Sequence, residues 1–246
     1  MVATMIRTGT LAEGLARRRK HTLANGTGYF KTELVASAFG EPLGPQAFLV
    51  EQDPDTTILP HFHEQNQFQV VVQGGGLLGR HAVKPLSVHY AGAHTGYGPI
   101  VAGAGGLWYF TLRPAMDQGA LFLPESRPRM KKVPKRHLLG PAMPVTEEGA
   151  RRRETVCEEA LPPQADGIGA WLLRMAPGDE LAAPAWPGGE GRFYLVVAGR
   201  ARVGGALLPR LSAVFVTPEE EPVEAKAGEE GAEVLVLQFP QRAEVH

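Results

Sequence analysis

His61 and His63 stand two apart in the run Pro60-His61-Phe62-His63-Glu64-Gln65-Asn66-Gln67, and on an extended strand that spacing turns both imidazoles to one face. Gln67 shares their parity. Glu64 has the opposite parity, so unless a bulge resets the strand its carboxylate faces away. Two imidazoles and an amide oxygen on one face can hold a divalent cation weakly, leaving positions open for water or substrate. The bland alternative is a pair of histidines hydrogen-bonded to their neighbours in a polar cavity mouth. The expected cofactor is therefore a divalent ion (Fe, Mn, Ni or Zn) at low occupancy or absent. The single cysteine, Cys157, lies beside Glu158 and Glu159, whose charges oppose a thiolate and argue against a nucleophile. With one cysteine, neither an intramolecular disulfide nor a Cys-rich zinc site can form.

Short runs rich in valine, leucine and aromatics surround these residues: 47–51, 68–73, 86–91 and 107–112, then 170–175, 192–198, 213–217 and 233–239. Glycine (30) and proline (21) punctuate them, and no long segment of helical period intervenes, which predicts an all-β protein. An ungapped shift of 125 residues pairs Gly44 with Gly169, Phe68 with Phe193, Gly74 with Gly199, Gly79 with Gly204, Leu86 with Leu211 and Gly106 with Gly231. Glycines retained at equivalent turns, with only apolar character retained between them, imply two copies of one fold unit. Residues 1–28 read as an exposed arm, 29–123 as the first unit, 124–150 as a basic, proline-rich connector and 151–246 as the second unit.

The histidine run resembles the first motif of the cupin superfamily, G-x5-H-x-H-x3-4-E-x6-G. His61, His63, the spacing to Gln67 and the glycine at Gly74 match; Asp55 stands at the leading glycine and Gln67 at the glutamate. The resemblance implies two tandem double-stranded β-helix (jelly-roll) barrels, a bicupin. The second cupin motif, G-x5-P-x-G-x2-H-x3-N, is partly kept in the second copy, with Ser212 and Pro218 in its glycine and proline slots. Its histidine slot falls on Val223 and, by the repeat, on Gly98, beside Tyr97. The third ligand is then missing unless His94, four positions early, or His89, nine early, swings in. Tyr97 is the expected catalytic residue, its hydroxyl placed near His61 and His63 to donate a hydrogen bond or proton. In the second copy Trp186, Gly188 and Arg192 replace His61, His63 and Gln67, so that barrel is expected to hold no metal; Arg192 either meets an anion or reaches solvent.

Lys plus Arg (25) and Asp plus Glu (26) nearly cancel, so no global field draws the chain to nucleic acid or an anionic membrane. No apolar run is long enough to span a bilayer, and the first 30 residues lack the apolar block of a secretory signal. A cytoplasmic protein is expected, with a small organic molecule as partner, neither nucleic acid nor membrane, and a homodimer as a further option. Two functions stay open. One is a small-molecule-binding bicupin with a degenerate metal site in the first barrel, acting as a dioxygenase or isomerase-like enzyme. The other is a non-catalytic ligand-binding or scaffolding bicupin without metal. Fold alone does not choose between them.

Overall fold

The computed structural model describes residues 6–36, 44–146, 153–184, 189–217 and 223–241. Trp186, Gly188, Pro218 and the acidic run 219–221 lie outside them. In chain order the strands are β1 (Ile6–Gly9), β2 (Arg19–Thr22), β3 (Gly28–Val35), β4 (Gln46–Gln52), β5 (Thr57–Ile58), β6 (His61–Phe62), β7 (Gln67–Leu78), β8 (His81–Val83), β9 (Val88–Ala91), β10 (Ile100–Arg113), β11 (Leu121–Phe122), β12 (His137–Leu139), β13 (Val156–Leu161), β14 (Gly169–Met175), β15 (Glu180–Leu181), β16 (Arg192–Val203), β17 (Ala206–Pro209), β18 (Ala213–Val216) and β19 (Ala225–Gln238). The chain divides into two compact units: residues 14–144, and residues from 145 onward joined by the segment up to Glu13. No helix among the described residues is long and apolar enough to cross a membrane.

In the first unit the sheet runs β12-β9-β7-β10-β4-β3-β2, with β5 on β10, β8 on β7 and a separate β6–β11 pair. The pairings are antiparallel. In the second unit it runs β1-β18-β16-β19-β14-β13, with β15 on β19 and β17 on β16. The long strands of both units, β7 with β10 and β16 with β19, pair through register shifts that bend them, as curvature into a barrel requires.

Backbone conformations recur at the 125-residue spacing. Gly74 and Gly199 adopt φ of 73° and 64°, and Leu86 and Leu211 adopt 65° and 63°. A Cβ on Gly74 would lie 2.1 Å from the Gly106 carbonyl oxygen, and one on Gly199 2.2 Å from that of Gly231. The glycines that repeat in sequence are thus places where two backbones touch, and any side chain would part the strands. Leucine in the left-handed region at both copies is less expected, because a γ-branched side chain gains nothing there. Each leucine N–H bonds the carbonyl of Val71 or Val196, at 2.9 and 2.7 Å, which holds the turn closed.

Two segments depart from the sequence reading. Residues 1–28 are not a free arm over their described part: β1 pairs with β18 from Ile6↔Val216 to Gly9↔Ala213, and β2 pairs with β3. Polar strand-edge sequences such as Arg19-Lys20-His21-Thr22 look like solvated tails because their outer face is exposed, yet their backbone completes a sheet. The basic connector likewise contributes β12, which pairs with β9. Lys135 Nζ donates to the His94 carbonyl (2.9 Å) and the Arg136 N–H to Thr95 Oγ1 (3.1 Å), fastening the segment to the first unit.

Candidate functional site

The first unit encloses a cavity of about 340 Å³ whose wall includes His61, His63, Gln69, Tyr97, Tyr109, Thr111, Arg113 and Asp117. β6 supplies His61, with His63 just beyond it; the β7–β10 pair supplies Gln67, Gln69, Tyr109, Thr111 and Arg113. Tyr97 reaches the same place because its backbone forms an antiparallel bridge with His61, Tyr97 N–H to the His61 carbonyl at 3.0 Å and the reverse at 3.1 Å.

The side chains form one directed chain of hydrogen bonds. Arg113 donates from Nε (3.1 Å) and Nη2 (3.0 Å) to Gln67 Oε1. Gln67 Nε2 donates to the Tyr97 hydroxyl at 2.5 Å. That hydroxyl, its acceptor side used, gives its own proton to His61 Nε2 at 2.8 Å. His61 in turn donates from Nδ1 to the Leu59 carbonyl at 2.7 Å, which fixes the tautomer. A second branch holds His63. Its Nδ1 donates to Asp117 Oδ1 at 2.8 Å; Arg113 Nη2 lies against the ring, 3.0 Å from Nδ1 and 3.2 Å from Nε2, and of the two only Nε2, left without a proton, can accept from it. Asp117 also accepts from the backbone N–H of Glu64 (2.9 Å) and Gly119 (2.8 Å).

Burial sets the charges. Desolvation, with the neighbouring His63, pulls His61 down to about 3. Burial and the Arg113 charge also lower His63, against the pull of Asp117. Burial raises Tyr97 far above the ordinary phenol range. It would raise Asp117 as well, but the His63 hydrogen bond and the Arg113 charge outweigh it and hold the carboxyl down to about 2. At neutral pH the cluster is two neutral imidazoles, a neutral phenol, one carboxylate and one guanidinium.

The structure brings His61, His63, Gln67 and Tyr97 together, all buried. It does not bring in His94. That residue takes φ of 58°, its N–H bonds the His63 carbonyl, and its ring packs 5.8 Å from Phe62, whose side chain alternates away from the cavity. His89 does reach the interior, its ring 5.1 Å from Tyr97, and donates from Nδ1 to Gln69 Oε1 at 2.8 Å. Glu64 lies outside, 3.7 Å from Arg129. Sequence reasoning missed Arg113 and Asp117. A signal for the first existed: the repeat sets Arg113 against Gln238 and Gln67 against Arg192, the same pair with its members exchanged. In the second unit Arg192 is buried and bonds Gln238 Oε1 through Nε.

A divalent metal, the group that barrels of this kind commonly hold, does not fit these residues. The His61 lone pair receives the Tyr97 proton, both His63 nitrogens are engaged, and Gln67 Oε1 accepts two guanidinium N–H groups. The Arg113 guanidinium, 4% exposed, already supplies a positive charge among them, and a second cation beside it would meet repulsion in a poorly screened interior. No group of three or more His, Cys, Asp or Glu suited to a metal exists among the described residues.

No family model matches the chain, and no curated protein matches it. Solved structures do. Oxalate decarboxylase from Bacillus subtilis, described with Mn(II) centres, is 11% identical with a TM-score of 0.61, covering 97% of this chain and 78% of that one. The bacterial pirin YhhW from Escherichia coli, in complex with nickel(II), is 12% identical with a TM-score of 0.60, covering 96% and 100%. An 11S globulin from Wrightia tinctoria, described as revealing an auxin-binding site, is 13% identical with a TM-score of 0.58, covering 97% and 84%. At these identities the likeness speaks for architecture, and the architecture held in common is that of the cupins: this chain has a cupin fold, two tandem β-barrels of the bicupin kind.

Proposed function

We propose that the first barrel binds a small organic molecule in its 340 Å³ cavity and does so without a metal ion. The observation that carries this reading is the directed hydrogen-bond chain from Arg113 through Gln67 and Tyr97 to His61, which commits the Gln67 oxygen and the His61 lone pair that a metal at the motif positions would need. The cavity is of ligand size, walled by aromatics and a few converging polar groups, as small-molecule sites are. The auxin-binding site of the similar 11S globulin supports small-molecule binding in this architecture. The second barrel is read as structural.

A second reading keeps a metal-dependent oxygenase or isomerase-like enzyme, with Tyr97 exchanging a proton with substrate. It is favoured by the two imidazoles of His61 and His63, centroids 5.2 Å apart, with His89 close behind Tyr97, and by the nickel and manganese named for the similar structures. Elemental analysis of purified, untagged protein, with the His61→Ala/His63→Ala variant as control, separates the two. The expected result is no stoichiometric metal in either after incubation with iron, manganese, nickel and zinc, together with thermal stabilisation of the wild type by members of a small-molecule screen. Near-stoichiometric metal in the wild type that the variant lacks would overturn the metal-free reading.

A further inference from the structure

Resting on the reading of the first barrel as a ligand site, we infer that its cavity selects a small aromatic anion, a carboxylate or phenolate, with Arg113 and Lys31 as the cationic wall. The two cations meet across one ring: Lys31 Nζ lies 4.3 Å and the Arg113 guanidinium carbon 5.4 Å from the centroid of Phe48. Both side chains, and Phe48 itself, line the cavity. Of their acidic neighbours, Glu33, 2.8 Å from Lys31, lies outside the cavity wall and in contact with water. Asp117, 3.5 Å from Arg113, is inside, but its oxygens already accept three N–H groups, from His63, Glu64 and Gly119. The carboxylate is thus covered.

The remaining polar groups are donors in excess. Gln69 spends its carbonyl oxygen on His89 and its amide also bonds the Tyr97 hydroxyl, so a remaining N–H is what it can offer a ligand. Arg113 makes its longest contacts through Nη1, 3.4 Å to Gln46 Oε1 and 3.5 Å to Asp117, so that nitrogen is the least committed of the guanidinium. A ligand that answers this wall is rich in acceptors and negatively charged. The rings of Tyr29, Tyr97, Tyr109 and Phe122 face the same space, and a flat apolar body complements them, since aromatic pairs gain beyond area alone. A ligand cation would meet the guanidinium and the ammonium on this wall, whose one carboxylate, Asp117, already accepts three N–H groups.

The test uses the full chain and three probes of nearly one shape: benzoate, benzamide and benzylamine, titrated by calorimetry at low salt. Benzoate is expected to bind at least tenfold more tightly than benzamide, with benzylamine weakest. Lys31→Gln is expected to shrink the benzoate advantage several-fold, and raising the salt to shrink it in the wild type. Lys31 is partly exposed, so this variant should keep the wild-type unfolding midpoint, which is measured alongside. Equal affinity for benzoate and benzamide would overturn the inference while leaving the cavity a ligand site. Tighter binding of benzylamine would overturn it too. Failure of all three to bind folded protein would overturn the inference, and the wider screen of uncharged compounds would then decide whether the ligand-site reading falls with it.

Discussion

At matching positions the two barrels hold opposite chemistries. Where the first has Gln46, Phe48, Gln69, Thr111 and Arg113, the second has Trp171, Leu173, Tyr194, Val236 and Gln238. Trp171, Leu173, Tyr194 and Val236 belong to one buried apolar cluster with Val196, Val214 and Val234. The cavity wall of the first barrel sets polar side chains that bond one another beside its aromatics, whereas at the equivalent positions of the second barrel Trp171, Leu173, Tyr194 and Val236 pack into the apolar cluster. Both keep one arginine–glutamine pair joined through Nε and Oε1, on opposite strands: Arg113 on β10 with Gln67 on β7, Arg192 on β16 with Gln238 on β19. The comparison teaches that one backbone can be stabilised either by packing or by a closed polar network, and that only the network leaves room for a guest.

The sharpest way to break this contrast is to hollow the solid barrel. Trp171→Ala is expected to cost about 4 kcal/mol in urea unfolding, through lost transfer energy and an unfilled cavity, while ligand affinity in the first barrel stays unchanged. Next comes Arg113→Met, which leaves Gln67 and Asp117 without their cation and should cost about 3 kcal/mol. The paired exchange Gln67→Arg/Arg113→Gln copies the second barrel's arrangement and should regain part of that loss. If the exchange is as damaging as the single change, the two pairs are not equivalent. Tyr97→Phe removes the hydroxyl between Gln67 and His61 and should cost about 2 kcal/mol, seen in the same unfolding curves.

The last prediction concerns acid. Seven of the eight histidines lie in the first unit, and the eighth, His246, is outside the described residues. His61, held down to about 3 by burial, stays neutral when folded but takes a proton near pH 6.5 when unfolded. The unfolded state therefore binds more protons between those values, and stability falls as pH falls through that window. At pH 5.5 the loss from His61 alone should be about 1 kcal/mol, absent in His61→Gln once its own baseline is subtracted. The second barrel should not share this slope, which barrel-specific hydrogen exchange would show.

The two-barrel fold was legible because turns and touching backbones repeat: Gly74 with Gly199 and Leu86 with Leu211 are fixed by backbone geometry that tolerates little change. The cluster of His61, His63, Gln67 and Tyr97 was legible from parity and motif spacing. Arg113 was not, since an arginine before a proline at a strand end reads as solvent-facing. Only the convergence of Gln46, Gln67 and His63 from distant segments, with Asp117 four residues on, shows it buried. His94 stayed an open option because sequence carries no sign of the left-handed turn that sends its ring to Phe62.

The pairing of β1 with β18 has a consequence in time. The ribosome emits Ile6–Gly9 about two hundred residues before their partner, Ala213–Val216. At about 5–20 residues per second that is a wait of some tens of seconds. During it the first barrel can close on its own local pairings, whereas the second stays one strand short at its β18 edge until β1 returns. Removing residues up to Gly9 should therefore leave the first barrel folding on schedule and expose β18 as a sticky edge on the second, turning a change before the first barrel into a defect in the second.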